Sequence, residues 1–160
     1  MGILMILFTL IGGLTLSTQS AINGTFSRKA GTIETTLLTF LTGTMFLAIL
    51  ILFWGQGNLS AIVEVPNWQL SAVFLGVLFV LFIVIAVPKI GVIATNITVI
   101  TGQLAIGMII DHFGWFNSLV IPLDTSRLFA MVFMALAIYF IYKGNVRSNK
   151  EAKQFVESPS

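Results

Sequence analysis

Apolar residues fall along the chain in five long runs, at about 3–21, 35–54, 68–87, 92–110 and 128–142, each closed by a polar or turn-forming segment. At 1.5 Å rise per residue, runs of roughly 20 residues make helices about 25 to 30 Å long, enough to cross the hydrocarbon core of a bilayer. Spanning strands would need only about 10 residues of alternating pattern, and the runs do not alternate. The polar segment Asn23 to Glu34, with Arg28, Lys29 and Gly31, is expected to end the first helix. Gly55-Gln56-Gly57-Asn58 is turn chemistry that ends the second and opens a loop to about Pro66. Pro88-Lys89-Ile90-Gly91 is a very tight connection, so the third and fourth helices are expected to form an antiparallel hairpin. Asp111-His112-Phe113-Gly114-Trp115 opens a longer connection through Pro122 and Asp124. Trp54, Trp68, Trp115 and Tyr142 all fall at run ends, where amphipathic rings favour the headgroup boundary. The pattern predicts an all-α membrane protein, with a five-helix transmembrane domain over 1–144 and a polar cytoplasmic tail over 145–160.

Composition and the repeated runs of about 20 apolar residues together argue against a soluble domain. Hydrophobic residues make up 57%, charged residues only 9%, and mean hydropathy is +1.01, against a charged fraction of about 25% in soluble domains. With no cysteine, the chain has no disulfide framework, thiolate nucleophile or cysteine-based metal site, and no cofactor is implied. The formal charge is +2, but four of the eight basic residues, Lys143, Arg147, Lys150 and Lys153, sit together after the last run. A juxtamembrane cluster of that kind faces anionic lipid, so nucleic acid is not an expected partner.

Charge also sets the expected orientation. The first run could be a signal peptide ending at Ser17-Thr18-Gln19-Ser20-Ala21, but no Lys or Arg precedes it while Arg28 and Lys29 follow, the reverse of such peptides. A retained helix fits better. With five spans, one face carries only Arg127, and the other carries Arg28, Lys29, Lys89 and the four C-terminal basic residues. Basic loops stay cytoplasmic, which predicts the N-terminus outside and the C-terminus inside.

No ionisable residue falls within a predicted span, so a mechanism built on a central titrating carboxylate lacks its residue. What remains is amides and hydroxyls. Gly12, Gln19 and Asn23 are spaced i, i+7, i+11, and Asn96, Gln103 and Gly107 repeat the spacing in the fourth helix. Each triplet forms one narrow stripe. Amides facing lipid lose hydrogen bonds at several kcal/mol each, so both stripes are expected to face protein or a water-filled cavity. Two roles fit: glue between helices, or a substrate site lined by Gln19, Asn23, Asn96 and Gln103 near a contact of helices one and four. Gly13, Ser17 and Ala21, with Thr39 and Gly43, are small residues suited to close packing, or to a hinge or gate. Asp111 beside His112 is a poor metal set and reads as an interfacial hydrogen-bonding turn. Arg127 is expected to snorkel to a headgroup or pair with Asp124 or Asp111, with anion recognition as the other reading. Asp111, His112 and Arg127 are thus structural or gating candidates.

Gln19-Ser20-Ala21-Ile22-Asn23, Phe40 with Gly43, Pro88-Lys89-Ile90-Gly91, Gly102-Gln103-Leu104 and Asp111-His112-Phe113-Gly114-Trp115-Phe116 together resemble the motif series of the YdcZ family. These are small bacterial inner-membrane proteins related to the drug/metabolite transporter superfamily. The resemblance covers nearly the whole chain up to Lys143 and implies half of a ten-helix, inverted-repeat transporter. Such a half needs a partner, and an inverted pair is a physically sensible route to alternating access. The strong charge bias departs from a dual-topology chain and favours an oppositely oriented homologous subunit over an antiparallel homodimer. The related small multidrug resistance proteins use a glutamate in their first helix, where this chain offers only Gln19, so proton-coupled export of drug-like cations is not carried over.

Two function classes follow: a subunit of a secondary transporter or exporter for a small solute, and a non-transporting membrane partner that stabilises or regulates another protein. An intramembrane enzyme is disfavoured, because no serine, histidine and acid set, paired carboxylates or metal cluster lies within the spans.

Overall fold

The computed structural model describes residues 2–157, with side chains described except at 145, 146 and 148–157. All regular structure among them is helical: α1 (Gly2–Ala30), α2 (Thr32–Trp54), a one-turn α3 (Asn67–Leu70), α4 (Ala72–Ile90), α5 (Val92–Phe113) and α6 (Thr125–Glu157). Five stretches are long and apolar enough to cross a membrane: α1, α2, the pair α3–α4 over Asn67–Ile90, α5, and Thr125–Gly144 of α6. The five expected spans are therefore present, with longer ends.

The largest difference lies at the first connection. The polar segment expected to separate the first two helices is itself helical as far as Ala30, because polarity alone does not end a helix. Gly31 does, at φ 97 and ψ 157, a conformation open essentially to glycine. α2 begins at the next residue. The same device recurs at Gly91, at φ 83 and ψ 165, between α4 and α5. Pro88, expected in the connection, instead lies in the last turn of α4. Both glycines sit in one sequence frame, Lys29-Ala30-Gly31-Thr32-Ile33-Glu34-Thr35 and Lys89-Ile90-Gly91-Val92-Ile93-Ala94-Thr95. In each, the threonine hydroxyl and backbone N–H both donate to the glycine carbonyl: Thr35 Oγ1 at 2.7 Å and N at 3.1 Å, Thr95 Oγ1 at 2.8 Å and N at 3.2 Å. Thr35 and Thr95 are 1% and 2% exposed, so these bonds satisfy polar groups that water does not reach.

The chain divides into two compact units, residues 1–89 and 90–160. In the first, α1 and α2 pack as a hairpin about Gly31. α1 also meets α4: a Cβ on Gly24 would overlap the Val87 side chain and reach within 3.7 Å of Pro88 Cδ. Ser20, Gly24 and Ser27 are buried on α1, and Ile83, Val84 and Val87 on α4. This small-residue stripe at i, i+4, i+7 lets backbones approach closely. The expected small residues divide: Gly13 and Gly43 are exposed with open space where a Cβ would stand, whereas Ser17 and Ala21 are half-buried and Thr39 meets Asn23 of α1. Arg28 donates to the Pro88 carbonyl at 3.4 Å, which brings the C-terminal ends of α1 and α4, with Arg28, Lys29 and Lys89, to one end of the unit.

In the second unit α5 packs on α6. The expected tail over 145–160 is entered with α6 still helical, to Glu157; Lys150, Glu151, Ala152, Lys153 and Gln154 are all good helix formers. Residues 158–160 and the side chains of Lys150 and Lys153 lie outside those described.

Candidate functional site

Hydroxyls and amides behave differently inside these spans. Thr15, Thr18, Ser20, Thr42, Thr98 and Thr101 each donate to the carbonyl four residues back, at 2.7 to 2.9 Å. Such a hydroxyl is satisfied by its own helix and needs no partner in lipid. A side-chain amide has two donors and an acceptor that its own helix does not serve, so the amides decide where the spans need company.

In the first unit Asn23 is half-buried, and Thr39 Oγ1 lies 3.2 Å from its Oδ1. The two residues are equidistant from Gly31, as the hairpin requires. Thr39 Oγ1 also reaches the Thr35 carbonyl at 2.8 Å, and with a single hydrogen it donates to one acceptor at a time. The pair ties α1 to α2. In a double-mutant cycle of Asn23→Ala and Thr39→Val, read by unfolding in detergent, the expected coupling is about 0.6 kcal/mol, the average for such bonds between spans. Gln19 is exposed, on a shallow concavity of about 440 Å³ bordered by Leu14, Thr15, Thr18 and Ile22 of the same helix. Of the first amide stripe, Asn23 is the one with a hydrogen bond to another helix among the described residues.

The second unit holds the denser constellation. Asn96 is half-buried near the start of α5, and Gln103 is exposed two turns further on. Gln103, Gly107 and Asp111 follow at i, i+4, i+8 on one face of α5. Together with Arg127, Met131 and Met134 of α6 they line a groove of about 300 Å³. Arg127 Nη1 lies 3.5 Å from Asp111 Oδ2, with the two side chains 29% and 37% exposed. Of the partners the sequence offered, Arg127 therefore takes Asp111 with its side chain. Asp124 instead caps α6, its Oδ1 accepting from the Arg127 backbone N–H at 2.9 Å.

The segment after α5 is fastened to the end of that helix. The Ile121 N–H donates to the Asp111 carbonyl at 2.9 Å, the Leu123 N–H to His112 Nδ1 at 3.4 Å, and Ser118 Oγ to the Ile110 carbonyl at 3.4 Å. His112 thus takes part in a turn. Gly114, Phe116 and Asn117 all have positive φ, of 62°, 58° and 64°, and a bulky residue held there stores strain. Phe113 stacks on Trp115 at 5.6 Å between ring centroids. Among the described residues no three His, Cys, Asp or Glu side chains gather to hold a metal.

The three methionines of the groove, Met108, Met131 and Met134, and the role of Thr39 are absent from the sequence-based candidates. Their signal was weak: Met and Thr at helical spacing look like ordinary packing, and only the facing helix turns them into a lining.

An all-helical chain with five apolar spans, amides inside them and its charges at the ends is a polytopic membrane protein. It belongs to the YdcZ family: the family described as "Putative inner membrane exporter, YdcZ" matches residues 4–140. That description points to membrane transport rather than enzymatic chemistry. No curated protein and no solved structure matches the chain.

Proposed function

We propose that the chain is one subunit of a small secondary transporter or exporter, working as an inverted dimer with an oppositely oriented homologous subunit. In this reading its own N-terminus is outside and its C-terminus cytoplasmic, and Gln19, Asn23, Asn96 and Gln103 line the path of a small polar solute. Asp111, His112 and Arg127 sit at the mouth of that path as gating residues. The observation that carries the reading is the state of Gln19 and Gln103: both are exposed within apolar spans and neither side chain has a hydrogen-bond partner among the described residues. In lipid each would cost several kcal/mol, so protein or a hydrated path must cover them. The seven-to-one distribution of basic residues favours a separately encoded partner of opposite orientation over a homodimer.

The test combines orientation, partnering and transport. Tags on both termini are probed from each side of the membrane in cells, the chain is purified in mild detergent with whatever accompanies it, and the complex is reconstituted for solute uptake. One fixed orientation, an oppositely oriented homologue in the complex and net solute movement are the expected results. Mixed orientation without a homologue would replace the heterodimer by an antiparallel homodimer. A stable complex with an unrelated protein that moves nothing in broad screens would overturn the transporter reading in favour of a stabilising or regulatory membrane partner.

A further inference from the structure

The groove between α5 and α6 has a chemistry more specific than a polar path. Its mouth carries one carboxylate and one guanidinium, joined by a single contact at 3.5 Å and each about a third exposed. Beyond that contact neither side chain makes another side-chain hydrogen bond among the described residues. The second carboxylate oxygen and most of the guanidinium donors are therefore available, although an Arg–carboxylate pair built for stability usually engages two parallel bonds. Inward from this pair, Met108, Met131 and Met134 line the groove, and thioether side chains adapt to apolar groups of varied shape. Gln103, about 12 Å from Asp111 along the helix, supplies a neutral donor and acceptor at the inner end.

Resting on the transporter reading, we propose that this groove binds a zwitterion with an apolar side chain, its ammonium on Asp111, its carboxylate on Arg127 and its side chain on the methionines. The charge balance selects the class. A simple cation at Asp111 takes the counterion from Arg127, and a simple anion at Arg127 does the same to Asp111; at the membrane boundary the abandoned charge is left poorly compensated. A zwitterion opens the pair and restores a partner to both charges. The volume of about 300 Å³ lies at the small end of the range for small-molecule sites, which suits a compact solute. Gly107 forms the floor between Gln103 and Asp111, and a Cβ added there meets open space. A larger side chain at that position therefore enters the groove at its first carbon without a clash.

The test is titration calorimetry on the purified complex with leucine and methionine, beside isoamylamine and isovalerate, which each keep the apolar tail and one charge. The expected result is saturable binding of the amino acids, with each single-charge analogue at least tenfold weaker. Gly107→Leu is expected to keep the wild-type melting temperature and weaken amino-acid binding at least tenfold, and Asp111→Asn to weaken it without abolishing binding of the apolar tail. Isoamylamine binding as tightly as leucine, no binding by any of the four probes, or undiminished binding in Gly107→Leu would each overturn the proposal. Failures of the two readings are separable. Binding without movement across proteoliposomes leaves the groove assignment standing and removes the transporter reading, whereas movement of another solute without zwitterion binding does the opposite.

Discussion

Gly24→Leu is expected to lower the stability of the protein by about 3 kcal/mol, at the upper end of what overpacking a closed contact costs. The first carbon of any side chain at Gly24 would already lie 2.8 Å from Val87 Cβ, closer than real contacts allow. The obstacle belongs to a β-branched residue fixed on α4 and not to the tip of a flexible chain, so relief requires α1 and α4 to separate. Separation exposes Ser20 and Ser27 together with Val84 and Val87, all buried in the native contact. Thermal unfolding in mild detergent reads the loss. The control is Gly43→Leu, at a glycine whose Cβ direction is open; it is expected to leave the melting temperature of the isolated chain nearly unchanged. Equal losses at both positions would mean that the contact of α1 with α4 carries no special share of the stability.

Replacing Gly31 or Gly91 by alanine is expected to cost about 1–3 kcal/mol each, the range for a residue forced into a glycine-only backbone conformation. The two sites separate two causes. At Gly91 a Cβ meets open space, so the loss reports backbone strain alone. At Gly31 a Cβ also overlaps the Glu34 carboxylate, which is the far end of a flexible side chain and moves at little cost. Similar losses at the two positions are therefore expected, and Gly31→Ala combined with Glu34→Ala should recover little. Full recovery in the double variant would place the cost in the carboxylate contact. Unfolding in detergent, followed by helix content and by tryptophan fluorescence, distinguishes these results.

The shared frame around Gly31 and Gly91 was present in the sequence and still hard to use. Reading polarity as a helix terminator places the first connection at Asn23 to Glu34, because charged and amide residues look like loop. The backbone ends a helix for a different reason: Lys29 and Ala30 continue it comfortably, and only a residue free to take positive φ turns the chain within one position. Pro88 misleads in the same way, since a proline in the last turn of a helix disturbs it less than one in its interior. At α6 the same holds, a polar sequence of good helix formers continuing the last helix into the expected tail.

Among the candidate residues, the amides were legible because an amide within an apolar run is costly wherever it points. Their partners were not. Gly13, Ser17 and Ala21 have the same spacing of four as Ser20 and Gly24, and periodicity alone does not say which stripe α4 covers. Arg127 had two acids within reach by sequence, and both are used, one by its side chain and one by its backbone.

What the sequence determined by itself is the class of the protein: bilayer thickness demands runs of a set length, and backbone groups without water demand helices, so five apolar runs are enough to name five spans. What only the tertiary structure decided is which polar groups meet. The joining of Asn23 to Thr39 and of Asp111 to Arg127 depends on the rotation of each helix about its own axis and on the length of its connections. One position along a helix turns the side-chain direction by about 100° and aims it at a different neighbour.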